Sequence, residues 1–293
     1  MTKFKFGQPK KIISILITLL IVCSLVPITA GAAAAVPVAS LMGDSFSNLY
    51  YSIEAAWNDA RVNPGCTLSL LKDVTAVSNL ELNFDNLNFT VDLDGKTLNL
   101  ADNSIIVNLG KLTITDSSSG GTGKVTGSAT PLSVDGGELT ILGGLFACTN
   151  GNNSSILLRT TSGTVNIEDG LFTDRIYFEG TNVNINGGDF LKKVDYNCSD
   201  MTLIINDGNF SAGASVYNGT AYINDGCFNF LTAYSVKLIE IRGGSFRGLG
   251  SYGAGYLSRW LATGYAYYDS NGTKVDFTTE SLVNDCNVTV APA

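Results

Sequence analysis

The chain of 293 residues contains no histidine, and none of its six cysteines is spaced as a C-x-x-C pair. Histidines and paired cysteines are the usual ligands of zinc, so we expect no resident metal and no cofactor. Basic residues are also scarce, since 18 Lys and Arg stand against 26 Asp and Glu, a formal net charge of −8. Such an acidic chain lacks the positive surface that nucleic acids bind, so nucleic acid is not expected as a partner.

The long apolar run of the chain lies at its N-terminus. Four lysines within the first eleven residues precede a charge-free, mostly apolar segment from Ile12 to Val26, and Ala30-Gly31-Ala32 fits the small-x-small cleavage rule. The pattern predicts a secretory signal peptide over residues 1–32. A retained membrane anchor is the alternative, although the run is shorter than the ~20 residues that a bilayer needs. We expect a secreted or cell-surface protein without a membrane span after cleavage.

Cleavage after residue 32 would remove four lysines and one cysteine. The mature chain would then carry a net charge of −12, from 14 basic and 26 acidic residues. Five cysteines would remain, at positions 66, 148, 198, 227 and 286. Because five is odd, at least one thiol stays unpaired or pairs with another chain.

The strongest signal in the sequence is an internal repeat. Each copy reads apolar, x, Ile, x, Gly or Asp, Gly, x, Phe, and alternate side chains of such a strand face opposite sides. The apolar residue and the isoleucine therefore point inward, the glycine pair turns the chain, and the phenylalanine returns to the interior. The copies are GGELTILGGLF (136–146), SGTVNIEDGLF (162–172), GTNVNINGGDF (180–190), DMTLIINDGNF (200–210), NGTAYINDGCF (218–228) and VKLIEIRGGSF (236–246).

The phenylalanines are 26, 18, 20, 18 and 18 residues apart, which predicts a coil of 18 residues with inserted loops. A second apolar pair follows at a fixed offset, as with Ile176 and Phe178 after Phe172. The pairs predicted for the two less regular coils are Ile156 with Leu158, and Thr232 with Tyr234. Two inward strands in every coil, with no helix between them, indicate a parallel β-solenoid. Residues 147–153 and 117–130 are predicted as two protruding loops.

Both ends of the solenoid have predicted covers. A short capping helix with Ser45 as N-cap is predicted from five apolar residues at helical spacing: Phe46, Leu49, Ile53, Trp57 and Ala60. At the other end we expect a brief helix over 256–262 and a hairpin turning at Ser270-Asn271-Gly272. The predicted organisation is a linker and capping helix over 33–66, a β-helix over 67–248 and a C-terminal cap over 249–293.

This ladder, together with the phrases Leu93-Asp94-Gly95-Lys96-Thr97-Leu98 and Gly110-Lys111-Leu112-Thr113-Ile114-Thr115-Asp116, resembles the secreted right-handed parallel β-helix proteins of bacteria. Pectate lyases share that architecture, and the chain is most similar to the non-enzymatic, adhesin-like surface proteins. The resemblance covers roughly residues 68–246 and implies an all-β fold, a single right-handed parallel β-helix. Pectate lyases hold calcium with clustered aspartates and use an arginine as base, and no such cluster is matched here. The architecture hosts many functions.

Outward residues beside the second apolar pair form the first candidate site. They are Arg159, Arg175, Tyr177, Glu179, Lys193 and Asp195. In a binding site, Tyr177 would stack on a sugar ring while the charged residues hydrogen-bond its hydroxyls. In a catalytic site, Glu179 and Asp195 would act as acid and base. The alternative is a solvated sheet face with weak cross-strand ion pairs, in which Arg159 lies level with Glu179.

Four other features have ordinary structural explanations. Aspartates 169, 207 and 225 share one turn position and could bind calcium, but Asp-Gly is also a common turn former. The Gly120–Lys124 segment lacks the first glycine and the final Ser or Thr of a phosphate-binding loop. Ile204 and Tyr222 face outward but are too few for an interface. A C-terminal aromatic group is either a carbohydrate platform or the cap itself: Trp260, Tyr265, Tyr267 and Tyr268.

The leading functional hypothesis is a secreted or cell-surface scaffold without enzymatic activity. It would serve adhesion or contact with a glycan, a host or cell-wall surface, or a partner. A polysaccharide lyase or glycosidase that uses Arg175, Lys193 and Asp195 is the rival hypothesis. A third is a spacer for a partner protein.

Overall fold

The computed structural model describes residues 35–150 and 155–293. The predicted signal peptide, and the end of the predicted 147–153 loop, lie outside these residues. Residues 37–293 form one compact unit. The unit is all-β and contains a parallel β-solenoid of about nine turns, as predicted. Among the described residues, no helix has the length and apolar character needed to cross a membrane.

Each turn contributes three strands, which stack into three rows. The first row is β3 (Thr67–Leu70), β6 (Asn88–Asp92), β9 (Lys111–Thr115), the end of β11 (Leu132–Ile141), the end of β13 (Ile156–Ile167), β16 (Asn182–Ile185), β19 (Thr202–Ile205), β22 (Thr220–Ile223) and β25 (Leu238–Ile241). The second row is β4 (Val74–Thr75), β7 (Thr97–Asn99), β10 (Lys124–Gly127), β12 (Leu145–Cys148), β14 (Leu171–Phe172), β17 (Asp189–Phe190), β20 (Asn209–Phe210), β23 (Cys227–Phe228) and β26 (Ser245–Phe246).

The third row begins with β5 (Leu80–Leu82) and β8 (Ile105–Val107) and continues through the first residues of β11 and β13. It ends with β15 (Arg175–Glu179), β18 (Val194–Asn197), β21 (Ala214–Tyr217), β24 (Leu231–Tyr234) and β27 (Leu249–Tyr252). Consecutive strands within each row pair in parallel. Two of the three rows were predicted from the two apolar pairs, whereas the short second row was expected only as a returning phenylalanine.

The phenylalanines of the repeat form one continuous stack inside the second row. From Phe146 to Phe246, neighbouring ring centroids are 4.5 to 5.2 Å apart and the rings are within 9° of parallel. The glycine two residues before each ring is required by this packing. At Gly208, where φ is +130°, an added Cβ would lie 3.2 Å from the Phe210 ring and 3.3 Å from the Gly188 carbonyl oxygen. The predicted stacking of the coils is therefore confirmed.

Two inward pairs of the third row differ from the prediction. In β13 the residue level with Ile176 is Leu158, because a bulge between Ile156 and Leu158 adds a residue. In β24 the residues level with Ala214 and Val216 are Leu231 and Ala233, one position earlier than the predicted Thr232 and Tyr234. The corner between the second and third rows varies in length from turn to turn, which explains the difference in β24 and, together with the bulge, the difference in β13.

Neither predicted loop has its predicted bounds. The 117–130 segment contains β10, in which Val125 lies level with Leu98 and Phe146 in the second row. Only residues 117–123 protrude. Ala147 and Cys148 belong to β12, so the next loop begins after them.

A hairpin and one helix cover the N-terminal end of the solenoid. Strand β1 (Ala39–Gly43) pairs antiparallel with β2 (Phe46–Tyr50) and with β3, which closes the open edge of the first row. The helix α1 (Ile53–Ala60) is shorter than predicted, and its N-cap is Ser52, whose Oγ accepts a hydrogen bond from the Ala55 amide. Ser45 is wrong as the N-cap because Asp44-Ser45 forms the two-residue turn of the hairpin.

Antiparallel strands close the other end. A 3₁₀ helix spans Leu257–Trp260, and the predicted hairpin is formed by β28 (Tyr265–Tyr268) and β29 (Lys274–Val275). Two further strands were not predicted, β30 (Leu282–Val283) on β27 and β31 (Val288–Pro292) on β26. Trp260 and Tyr267 are fully buried, so this part of the aromatic group is the interior of the cap and not a platform.

One carboxylate holds the loop at 117–123. The Asp116 side chain accepts hydrogen bonds from the backbone amides of Gly95, Ser118 and Gly123, at 2.8, 3.2 and 2.6 Å. Burial raises the pKa of Asp116, but these amides, led by Gly123 and Gly95, lower it more, so the pKa lies below its usual value. The glycine-rich segment is therefore a loop tied to the preceding turn, and Lys124 belongs to a strand.

Truncation in the middle of the phenylalanine stack should strongly destabilise the fold. Phe210 is buried between Phe190 and Phe228, at centroid distances of 4.8 and 4.5 Å. We expect Phe210→Ala to lower the free energy of unfolding by about 3 to 5 kcal/mol, because the cavity lies between fixed layers. Leu191→Ala, at a neighbouring position that is 44% exposed, is the control and should cost far less. Equal urea midpoints for the two variants would contradict the stacked core.

The Asp116 contacts predict a pH-dependent contribution to stability. Since the folded pKa is below the unfolded value of about 3.9, the stabilisation is complete above that value and is lost as pH falls through the folded pKa. The difference in urea midpoint between the wild-type protein and Asp116→Asn should be largest near neutral pH and should shrink below about pH 4. A difference that stays constant across this range would show that the carboxylate charge plays no part.

Candidate functional site

The structure brings four of the six predicted site residues into one group on the outer face of the third row. Asp195 contacts Arg175 on the preceding turn and Lys193 two residues earlier on its own turn. Tyr177 lies level with Asp195, and the Arg175 guanidinium lies over the Tyr177 ring at 5.6 Å. We call these four residues the Asp195 cluster.

The other two predicted residues lie at its margin. Arg159 is exposed and lies level with Tyr177, so its predicted position beside Glu179 is wrong. Ile156 already lies one position from its predicted partner, and the bulge after it adds a second position to the shift. Glu179 lies level with Asn197 of the next turn. The predicted acid and base pair, Glu179 and Asp195, is therefore not aligned across neighbouring turns.

Asp195 is completely buried although it occupies an outward position. Its Oδ2 accepts a 2.7 Å hydrogen bond from Arg175 Nε, and its Oδ1 lies 3.3 Å from Lys193 Nζ and has no hydrogen bond of good geometry. The two cations are 40% and 43% exposed. A buried carboxylate is costly unless paired, and here the two long basic side chains both pair with it and shield it from solvent.

Lys193 is held in its charged form. Burial lowers the pKa of its ammonium group, but the Asp195 carboxylate and Tyr217 more than offset this, so the pKa lies above its usual value. A protonated lysine cannot act as a base, and a carboxylate closed off from solvent cannot reach a polysaccharide. In this geometry neither Lys193 nor Asp195 is available as the base that the rival hypothesis requires.

A column of three tyrosines continues this face toward the C-terminal cap, and it was not predicted from the sequence. Tyr217, Tyr234 and Tyr252 stack at centroid distances of 4.6 Å, with rings 8° to 9° from parallel. Each is the last residue of its third-row strand, which is a repeat signal visible in the sequence. The prediction had instead turned Tyr234 inward. We call these residues the tyrosine ladder.

Small residues separate the tyrosine ladder from the opposite margin of the face. Ser215, Thr232 and Gly250 follow Asp195 in register, and the Ser215 and Thr232 hydroxyls are hydrogen-bonded. The Phe230 ring packs so closely on the next turn that a Cβ at Gly248 would lie 2.3 Å from it. The ladder and the Asp195 cluster thus share one well-packed sheet surface, which we call the third-row face.

The remaining candidates have structural roles. Asp169, Asp207 and Asp225 each accept a hydrogen bond from the amide of the glycine that follows, as expected of turn formers. Within residues 35–150 and 155–293, no group of three or more Cys, Asp or Glu side chains is arranged to hold a metal ion. Tyr222 lies under the Arg242 guanidinium at 5.8 Å. The five cysteines of the described residues are free thiols, of which that of Cys227 is exposed.

Loss of the Asp195 charge should loosen the cluster. We expect Asp195→Asn to lower the free energy of unfolding by about 2 kcal/mol, because it removes hydrogen bonds to a charged group. The loss is not larger because Arg175 and Lys193 are exposed enough to regain water. Glu179→Gln is the control, since no ion pair of the described residues includes Glu179. Thermal unfolding of both variants measures the difference, and a fully stable Asp195→Asn protein would contradict the pairing described.

Comparisons with protein-family models, with curated proteins and with solved structures return no match. The fold is therefore established by the strand pairing and register of this chain. The resemblance to parallel β-helix proteins holds at the level of architecture, and the narrower likeness to secreted surface proteins stays a prediction.

Proposed function

We propose that the chain is a secreted or cell-surface β-helix scaffold, without enzymatic activity, that binds glycans through the third-row face. The observation that carries the proposal is the tyrosine ladder, which extends the Asp195 cluster along one rigid sheet. Outward side chains held by stacking and ion pairs lose little freedom when a ligand binds. Export rests on the lysine-rich, apolar pattern of residues 1–32.

The chemistry of the tyrosine ladder suits a sugar chain. Because the rings stack on one another, a ligand meets their edges, which repeat at intervals of 4.6 Å along the stack. Tyrosine combines apolar surface with a hydrogen-bonding tip, and sugars combine apolar C–H faces with hydroxyls. Tyr252, at the end of the ladder, is 44% exposed and gives the ligand its largest aromatic contact. An extended glycan lying along the rows would meet the same chemistry at each turn.

Removal of one ring from the ladder should weaken glycan binding. Tyr234 lies between Tyr217 and Tyr252, so we expect Tyr234→Ala to lower the affinity for any glycan captured on an array by at least about tenfold, or about 1.4 kcal/mol. Tyr256→Ala, which removes an exposed tyrosine outside the ladder, is the control and should leave affinity unchanged. Equal losses in the two variants, or no captured glycan at all, would refute the proposal.

A parallel assay addresses the rival hypothesis. We expect no unsaturated or reducing sugar to be released from a panel of acidic polysaccharides, with or without calcium. Release that Lys193→Ala abolishes would instead establish a lyase or glycosidase at the Asp195 cluster.

A further inference from the structure

Two cations of the third-row face share a single carboxylate. Seven ion pairs occur among the described residues, and Asp195 is the only acidic residue that takes part in two of them. Arg175 and Lys193 together carry two positive charges against one negative charge. The cluster therefore has one uncompensated positive charge, although the whole chain is acidic at −8.

The negative charge is on the inside of this arrangement and the positive charges are on the outside. Asp195 has no exposed surface, whereas the Arg175 and Lys193 side chains are 40% and 43% exposed. A ligand that approaches the face meets the two cations and not the carboxylate. Because both cations are fixed by the same buried group, they are held in place before a ligand binds.

The aromatic residues connect this charged end to the tyrosine ladder. The Arg175 guanidinium lies over the Tyr177 ring, and Tyr217 lies on the turn after Lys193, near enough to its ammonium group to raise the pKa of Lys193. Tyr217 is the first ring of the ladder. An oxyanion bound by Arg175 and Lys193 would thus belong to the same sugar chain that contacts Tyr217 and Tyr234.

We propose that the third-row face selects anionic glycans, with Arg175 and Lys193 binding a sugar carboxylate or sulfate and Asp195 acting as the positioning residue. This inference rests on the proposed glycan-binding function. Charge-assisted hydrogen bonds from arginine and lysine are the strong contacts available for such a group. An acidic chain repels polyanions elsewhere on its surface, so this selectivity requires a local site.

Three polymers with one backbone test the charge preference. Dextran, carboxymethyl-dextran and dextran sulfate differ only in carrying no anion, a carboxylate or a sulfate. We expect the wild-type protein to bind at least one charged polymer at least tenfold more tightly than dextran, with an affinity that falls as salt is raised. The charged polymer that binds more tightly shows whether the site prefers a carboxylate or a sulfate. Equal binding of all three polymers would overturn the inference.

Variants locate the preference at the cluster. Arg175→Gln with Lys193→Gln should reduce the charged polymer to the affinity of dextran, and adding Asp195→Asn gives a neutral cluster in case the unpaired carboxylate prevents folding. Lys124→Gln with Lys274→Gln removes two exposed charges from the second row and the C-terminal cap and should change little. An equal loss of affinity for the charged polymer in this control would show that binding depends on the overall charge of the protein, and would overturn the inference.

The outcomes separate the inference from the function on which it rests. If the array captures only neutral glycans, and Tyr234→Ala weakens them, the inference fails and the proposed function stands. If no glycan of any charge binds, both fail. Asp195→Asn should lower the affinity for the charged polymer while leaving that for dextran unchanged, a difference that a purely structural role would not produce.

Discussion

The structure depends on the parallel register between turns, which places each side chain directly against its equivalent one turn earlier and one turn later. A single turn is one strand thick and has no interior of its own, so its inward side chains are buried only by the neighbouring turns. The phenylalanine stack shows how strongly the register constrains the sequence, since the same residue type recurs in six turns and neighbouring ring centroids are 4.5 to 5.2 Å apart. The last turn at each end lacks a neighbour, and antiparallel strands supply one.

The same register organises the outer surface. A row of side-chain amides is hydrogen-bonded from turn to turn: Asn224 donates to Asn206, Asn206 to Asn186, and Asn186 to Glu168. The tyrosine ladder repeats an aromatic contact in the same way. The Asp195 cluster is a further case, in which Asp195 meets Arg175 because the strands β15 and β18 are paired in register. A site built from such neighbours needs no flexible loop, so its side chains are held by the scaffold itself.

The first row and the phenylalanine stack were predictable because the turn glycines fix their spacing along the chain. The third row was less predictable, since the corner before it varies in length and the bulge in β13 displaces Arg159. The tyrosine ladder was missed for the same reason, because a shift of one residue turned Tyr234 inward in the prediction. At the N-terminus, Phe46 and Leu49 fitted a helical period, and only the pairing of β1 with β2 excludes it. Sequence spacing thus predicted contacts between turns wherever a glycine turn fixed the position of the strand along the chain.

The burial of Asp195 is not required by the scaffold. Ser215 and Thr232 occupy the equivalent position on the next two turns, are also buried, and satisfy each other with a hydroxyl hydrogen bond. A neutral residue would therefore fit the row, and buried ion pairs seldom stabilise a fold more than such a replacement does. What the carboxylate adds is the fixed position of Arg175 and Lys193 at the surface. Since uncharged residues occupy the equivalent position on the next two turns, the positions of the two cations are the clearest consequence of the charge, and a bound anion is the ligand for which those positions matter.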